Sequence, residues 1–214
     1  MAQGRSGLLP RGRSSLPADD VRAAQRERLI RAMVSAVAER GYAEVTVADV
    51  VAAARVSRTS FYAQFADKEA CFFAAYRAIA GEVMRQVATA VNFEASWEAQ
   101  IEAAVRTYVT VLDSRPKLTR AFFLEIHAAG ARAIALRREV LTEFAELTRG
   151  FVAQARKRQP ELVPLTAAMA TAMVGGINEL MLLKAERHMK SVDLAETAVA
   201  LCKALVAPAR ARGA

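Results

Sequence analysis

Hydroxyl and guanidinium groups crowd into one short stretch of this chain, residues 46–69, TVADVVAAARVSRTSFYAQFADKE. Thr46 and Ser57 each stand where a helix should begin, and there a hydroxyl beside free backbone amides suits a phosphate oxygen. Arg58 and Thr59 follow at once, at the start of the next turn. An Arg fork can bind the edge of guanine in a major groove, and a Thr methyl can meet thymine. The chemistry on offer is recognition of a nucleic acid and not the breaking of a bond. Catalytic constellations are missing from the sequence: there is no phosphate-cradling Gly loop, no His/Cys cluster at metal-ligating spacing and no nucleophile–base motif. Glu125 and His127 lie two apart, on different faces of a helix, and make a poor acid–base pair.

Two short helices and a tight turn are needed to position these groups. Thr46 with Asp49 three residues on is a capping-box pattern, and Val47, Val50, Val51 and Ala54 fall on one face. Arg55-Val56 makes the turn. Ser57 caps a short third helix and Asp67 a long fourth, with Glu69 well placed against its N-terminal dipole. Upstream, the apolar stripe Leu29, Ile30, Met33, Val34 and Val37 predicts a first helix over 18–40, stopped by Gly41. Tyr42, Phe61 and Phe65 are assigned to the core. This is the layout of a helix-turn-helix. Further helices are predicted near 67–91, 96–113, 117–129, 131–158, 164–189 and 192–207, separated by Gly, Pro and Ser breaks. With about nine helices and no sustained apolar–polar alternation, the fold should be all-α.

The chain has 214 residues, 54% of them hydrophobic, and a formal net charge of +8. Residues 22–68 carry eight Lys/Arg against five Asp/Glu, and residues 69–214 nineteen against fifteen. The basic excess is thus about twice as dense in the first segment, which fits an anionic partner there. Residues 1–20, with Gly4, Gly7, Pro10, Gly12 and Pro17 among Arg5, Arg11 and Arg13, read as a disordered basic arm. Such an arm is either a solvated tail or a minor-groove contact. The expected division is an arm over 1–20, a helix-turn-helix domain over 21–68 and a larger helical domain over 69–214. Cys71 and Cys202 are expected as buried thiols of a reducing compartment. The most apolar stretch, 166–183, contains Asn178 and Glu179 and suits a buried or interface helix better than a membrane span. With no leader pattern at the start, a cytoplasmic location is expected.

In the larger domain Trp97, Tyr108, Phe122, Phe123, Met169 and Met173 either line an apolar ligand cavity or fill ordinary core. Asn178 and Glu179 interrupt an apolar helix and need hydrogen-bond partners, across an interface or on a ligand. His127 is a further ligand candidate, although a satisfied structural imidazole explains it as well. Gly175-Gly176, costly in a helix interior, predict close approach of another helix or a ligand. Val192, Ala195, Val199, Cys202 and Val206 repeat at heptad spacing along the last helix. Arg132, Arg137, Arg138, Arg149 and the run 156–158 read as the solvated face of a long helix, among Glu139, Glu143 and Glu146.

Residues 28–76 resemble the N-terminal domain of the TetR family of transcriptional regulators. The likeness is carried by Gly41, Thr46-Val47 with Asp49-Val50, Val56-Ser57, Ser60-Phe61-Tyr62, Phe65 and Lys68-Glu69. It implies a three-helix DNA-binding domain, a larger helical ligand-binding and dimerisation domain, and a homodimer on a palindromic operator. By the same resemblance Tyr62 and Lys68 bind phosphates and Ser60 touches the DNA backbone. The last two helices of each subunit are implied to form a four-helix dimer interface, into which Gly175, Gly176 and the heptad stripe would fit. The chain departs from the family at Arg55, where the turn usually has Gly; at Thr59-Ser60, where Gly-Thr is common; and at Gln64, where His is frequent. If Arg55 takes positive φ, it can offset the strain by adding a phosphate contact. The resulting expectation is a ligand-responsive dimeric transcriptional regulator, a repressor released by a small apolar or amphipathic effector. It would need no metal or cofactor and would have no enzymatic activity. The alternative is a ligand-independent DNA-binding or activator protein whose C-terminal domain only dimerises.

Overall fold

The computed structural model describes residues 17–116, 119, 121–187 and 191–208, and all regular structure among them is helical. Nine α-helices follow in order: α1 Ala18–Arg40, α2 Val47–Ala54, α3 Arg58–Tyr62, α4 Lys68–Ala90, α5 Trp97–Asp113, α6 Ile126–Ala128, α7 Ala131–Arg156, α8 Ala167–Arg187 and α9 Ser191–Val206. A π-helical turn, Ala121–Glu125, leads directly into α6. α1 begins inside the span expected as a disordered arm, because Asp19 and Asp20 occupy its first turn and suit the helix dipole. Residues 1–16 lie outside the described residues.

The caps follow the pattern of the sequence. Thr46 and Asp49 form a reciprocal capping box on α2, the Ser57 hydroxyl accepts the Ser60 amide of α3, and Asp67 accepts the Ala70 amide of α4. α3 has only five residues and cannot be stable alone. It is pinned by Phe61, which is fully buried and packs its ring against Phe65 with centroids 5.6 Å apart. Gly41 closes α1 at φ 82°, ψ 157°, a region that only glycine enters easily.

Apolar side chains gather into two cores. The first joins α1, α2 and α3 to Cys71, Phe72, Ala75, Tyr76 and Ala80 of α4 and to Ile126, Ala133, Leu136 and Val140 of α6 and α7. The second holds Val83 and Val87 of α4, much of α5, the later part of α7, and α8 and α9. α4 and α7 therefore run through both cores as rods roughly 35 Å long. Packing is continuous across Lys68, the expected boundary.

Two expectations fail here. The segment 117–129 is not one regular helix: the wider π turn intervenes, with Phe123 buried in the second core and Ile126 in the first. The heptad stripe on the last helix does not face outward either. Ala195, Val199, Cys202 and Val206 are each buried within a single chain, because this is the face by which α9 packs on α5 and α8; only Val192 is exposed. Gly175 and Gly176 make no close approach within a single chain, which leaves the expected neighbour to a partner subunit or a ligand. A Cβ on Gly175 would meet nothing within 4 Å, and one on Gly176 only a Leu201 methyl at 3.6 Å.

Candidate nucleic-acid interface and apolar cavity

The turn between α2 and α3 rests on Arg55, at φ 54° and ψ 49° the single non-glycine with positive φ among the described residues. Its side chain is exposed, as are those of Ser57, Arg58, Thr59 and Tyr62. Tyr62 is 54% exposed although its ring packs edge-on against Phe61, so the hydroxyl is held at the surface by a buried neighbour. Arg58, Thr59 and Tyr62 thus share one short helix that the first core holds from behind.

Two of the hydroxyls are already engaged. Thr46 Oγ1 donates to Asp49 Oδ2 at 2.6 Å, and the Thr46 amide donates to the same oxygen at 2.8 Å. These bonds, with Arg40 at 3.2 Å, hold the Asp49 carboxyl down at about 2. Ser57 and Ser60 hydroxyls lie 2.9 Å apart while Ser57 caps α3. Thr46 and Ser57 are therefore first of all caps. Lys68 is similarly turned inward: its ammonium donates to the Tyr42 carbonyl at 3.0 Å and sits 4.3 Å from the Tyr42 ring centroid. Arg26 lies over the Phe65 ring at 4.4 Å, a stacking that the sequence reading did not assign.

Glu125, the last residue of the π turn, reaches this domain from outside it. Its Oε2 accepts the Tyr42 amide at 2.8 Å, and a Cβ on Gly41 would come within 3.1 Å of the same carboxylate. Within the larger helical region Arg132 at the start of α7 pairs with Glu69 in the first turn of α4 at 2.6 Å.

The second core encloses a cavity of about 100 Å³, open at one mouth and walled by α5, α7, α8 and α9. α5 contributes Trp97, Gln100, Ile101, Ala104, Val105 and Tyr108; α7 contributes Phe144, Leu147, Thr148, Phe151, Val152 and Ala155. Met173 and Asn178 come from α8, and Asn178 Oδ1 accepts the Tyr108 hydroxyl at 2.5 Å. Of the ligand candidates read from sequence, Trp97, Tyr108, Met173 and Asn178 meet here, while Phe123 lines a smaller neighbouring cavity. Met169 packs against the second core without lining either. His127 and Glu179 are corrections: both are exposed, because they fall on the outward faces of α6 and α8. The Phe122 side chain lies outside the described residues.

The sequence reading missed Gln100, Phe144 and Phe151. Their signal was present, since the α5 and α7 wall residues repeat with identical helical spacing. Among the described residues no group of three His, Cys, Asp or Glu can hold a metal, and no helix is long and apolar enough to cross a membrane. Cys71 and Cys202 are free and buried, and burial pushes both thiols up to about 12.

An exposed short helix presenting Arg58, Thr59 and Tyr62, set on a helical domain with an apolar cavity, defines a DNA-binding protein of the helix-turn-helix class. Residues 29–75 match the family model described as bacterial regulatory proteins, tetR family. Most of the chain shares its fold with solved regulators. The fatty acid degradation regulator FadR of Bacillus halodurans superposes with a TM-score of 0.71 at 19% identity, over 82% of this chain and 96% of that one. FadR of Bacillus subtilis, solved in complex with stearoyl-CoA, gives 0.70 at 18% identity over 85% and 97%. A transcriptional regulator of Pseudomonas aeruginosa gives 0.68 at 20% over 93% and 96%. No match was found among curated proteins. Residues 29–75 are thus a tetR-type N-terminal domain, and the chain as a whole shares its fold with these solved regulators.

Proposed function

We propose that this protein is a dimeric repressor that leaves its operator when a long apolar or amphipathic effector enters the cavity. The observation that carries this reading is the apolar cavity joined to the DNA-binding domain through the π turn, whose Glu125 holds the Tyr42 amide. An effector that favours one packing of the π turn over another would bias the placement of α1, and with it the reader. The stearoyl-CoA bound by the Bacillus subtilis neighbour supports a fatty-acyl chain as the occupant.

On DNA, Arg58 and Thr59 read base edges, while Tyr62, Ser57, Ser60 and Arg55 contact phosphates. Thr46 and Lys68 contribute less than a bare motif would imply, because their polar groups already serve Asp49 and Tyr42. Dimerisation uses the outward face of α8 and α9, where Ala168, Ala172, Ala200, Leu201 and Ala204 stay exposed in a single chain. Two readers on one dimer then meet half-sites about one helical turn apart on a palindrome.

An electrophoretic shift on the DNA flanking its own gene, at low salt, tests the reading. A shift that stearoyl-CoA or a free fatty acid reverses is the expected result. No shift removes the function, and a shift that no apolar ligand alters removes the switch alone.

A further inference from the structure

A second, much smaller cavity of about 20 Å³ lies against the first on the side of the π turn. Tyr108, Phe144 and Asn178 belong to both walls, so the hydrogen bond from the Tyr108 hydroxyl to Asn178 Oδ1 stands as a partition between them. The two spaces differ in charge. The large cavity has no charged residue in its lining, whereas the small one has a single one, Arg137 of α7.

Arg137 is half-buried and faces Tyr76, Tyr108 and Phe123 across the small cavity. The nearby carboxylates of α7, Glu139 and Glu143, are both taken by Arg77 of α4. Among the described residues no ion pair includes Arg137. Burial pushes the Tyr76 and Tyr108 hydroxyls up, and the charge of Arg137 pulls both back, which agrees with its place between them. A half-buried guanidinium beside aromatic side chains and without a carboxylate partner is available to an anion. Its planar fork matches a carboxylate with two parallel hydrogen bonds.

We propose that the effector is an amphipathic carboxylate: its chain lies in the large apolar cavity and its head displaces the Tyr108–Asn178 hydrogen bond to pair with Arg137. The proposal rests on the large cavity being the effector site. It also joins recognition to response, because the same small cavity is walled by Phe123, two residues before the Glu125 that holds the DNA-binding domain. A CoA thioester carries no free carboxylate at the end of its chain and would leave Arg137 unpaired.

Trp97, the single tryptophan of the sequence, lines the large cavity and reports on its filling. Its fluorescence is titrated in the full chain with dodecanoate, 1-dodecanol and dodecanoyl-CoA, for the parent protein and for Arg137→Leu and Arg137→Lys. Dodecanoate is expected to bind about tenfold or more tightly than the alcohol. Arg137→Leu is expected to erase that preference while leaving the alcohol unchanged, and Arg137→Lys to keep most of it. Thermal unfolding of each variant shows whether the fold survives, and Arg137→Lys carries the comparison if the leucine variant does not fold. A carboxylate-to-alcohol ratio that Arg137→Leu leaves unaltered, or dodecanoyl-CoA binding as tightly as dodecanoate, overturns the assignment of Arg137 and leaves the cavity reading standing. No response of Trp97 to any of the three overturns both.

Discussion

Arg55 holds the left-handed backbone of the turn in a position where glycine would be at ease, at a cost of about 1 kcal/mol. Its side chain is exposed beside α3 and is free to reach a phosphate of bound DNA. Arg55→Gly should therefore raise the melting temperature by about 2–4 °C while weakening operator binding. Unchanged operator affinity would remove the phosphate contact. Arg58 and Tyr62 should separate by what they read. Arg58→Ala should cost about 1–3 kcal/mol and relax the choice of base at one position, whereas Tyr62→Phe should weaken all DNA sequences alike. Competition binding against single-base operator variants distinguishes the two. Residues of this kind were legible because capping boxes, turn glycines and buried aromatics have local rules. Lys68 was not, because the Tyr42 carbonyl and ring that draw its ammonium inward lie 26 positions upstream.

Each element is held by contacts that its own sequence only partly announces. The start of α2 depends on the ionised Asp49, whose carboxyl falls from an ordinary 3.8 to about 2 through its bonds to Thr46 and then Arg40. A lowered folded-state value means that this stabilisation is complete above about pH 4 and is lost as pH falls towards 2. Asp49→Asn should therefore be less stable than the parent at neutral pH, and the gap should close across that window in chemical unfolding followed by circular dichroism. A constant gap would show that the charge is irrelevant. The π turn makes the second case. Glu125→Ala removes the acceptor of the Tyr42 amide without touching the reading helix. Operator affinity without effector should stay within a few-fold, while effector-driven release measured by fluorescence anisotropy should weaken about tenfold. Release as effective as in the parent would discard this link. The segment 117–129 read as one helix because helical spacing alone cannot register a π turn. In the same way, the faces of α5 and α7 were visible as apolar spacing, but whether facing side chains fill the space between them is decided by their sizes across four helices.

At the scale of the whole molecule, one chain presents one reader, and a palindromic operator requires two at a fixed separation. The stripe that looked like the seam between subunits is spent inside the chain, where Ala195, Val199, Cys202 and Val206 close the second core. What remains for a partner is the opposite face of the same helix with the small residues of α8. There Leu201 is 37% exposed and neighbouring Ala200 and Ala204 are uncovered. Small side chains let helices approach closely, and a leucine supplies apolar area at the centre of a patch. Leu201→Glu places a charge on that face but disturbs little of the chain's own packing. The variant should keep its helical content, run near 23.2 kDa in light scattering where the parent runs at twice that mass, and bind a half-site as weakly as the full operator. A variant that remains dimeric would move the interface elsewhere on the molecule. Retained full-operator affinity in a proven monomer would instead mean that a single reader suffices, and the palindrome with its spacing would have to be abandoned.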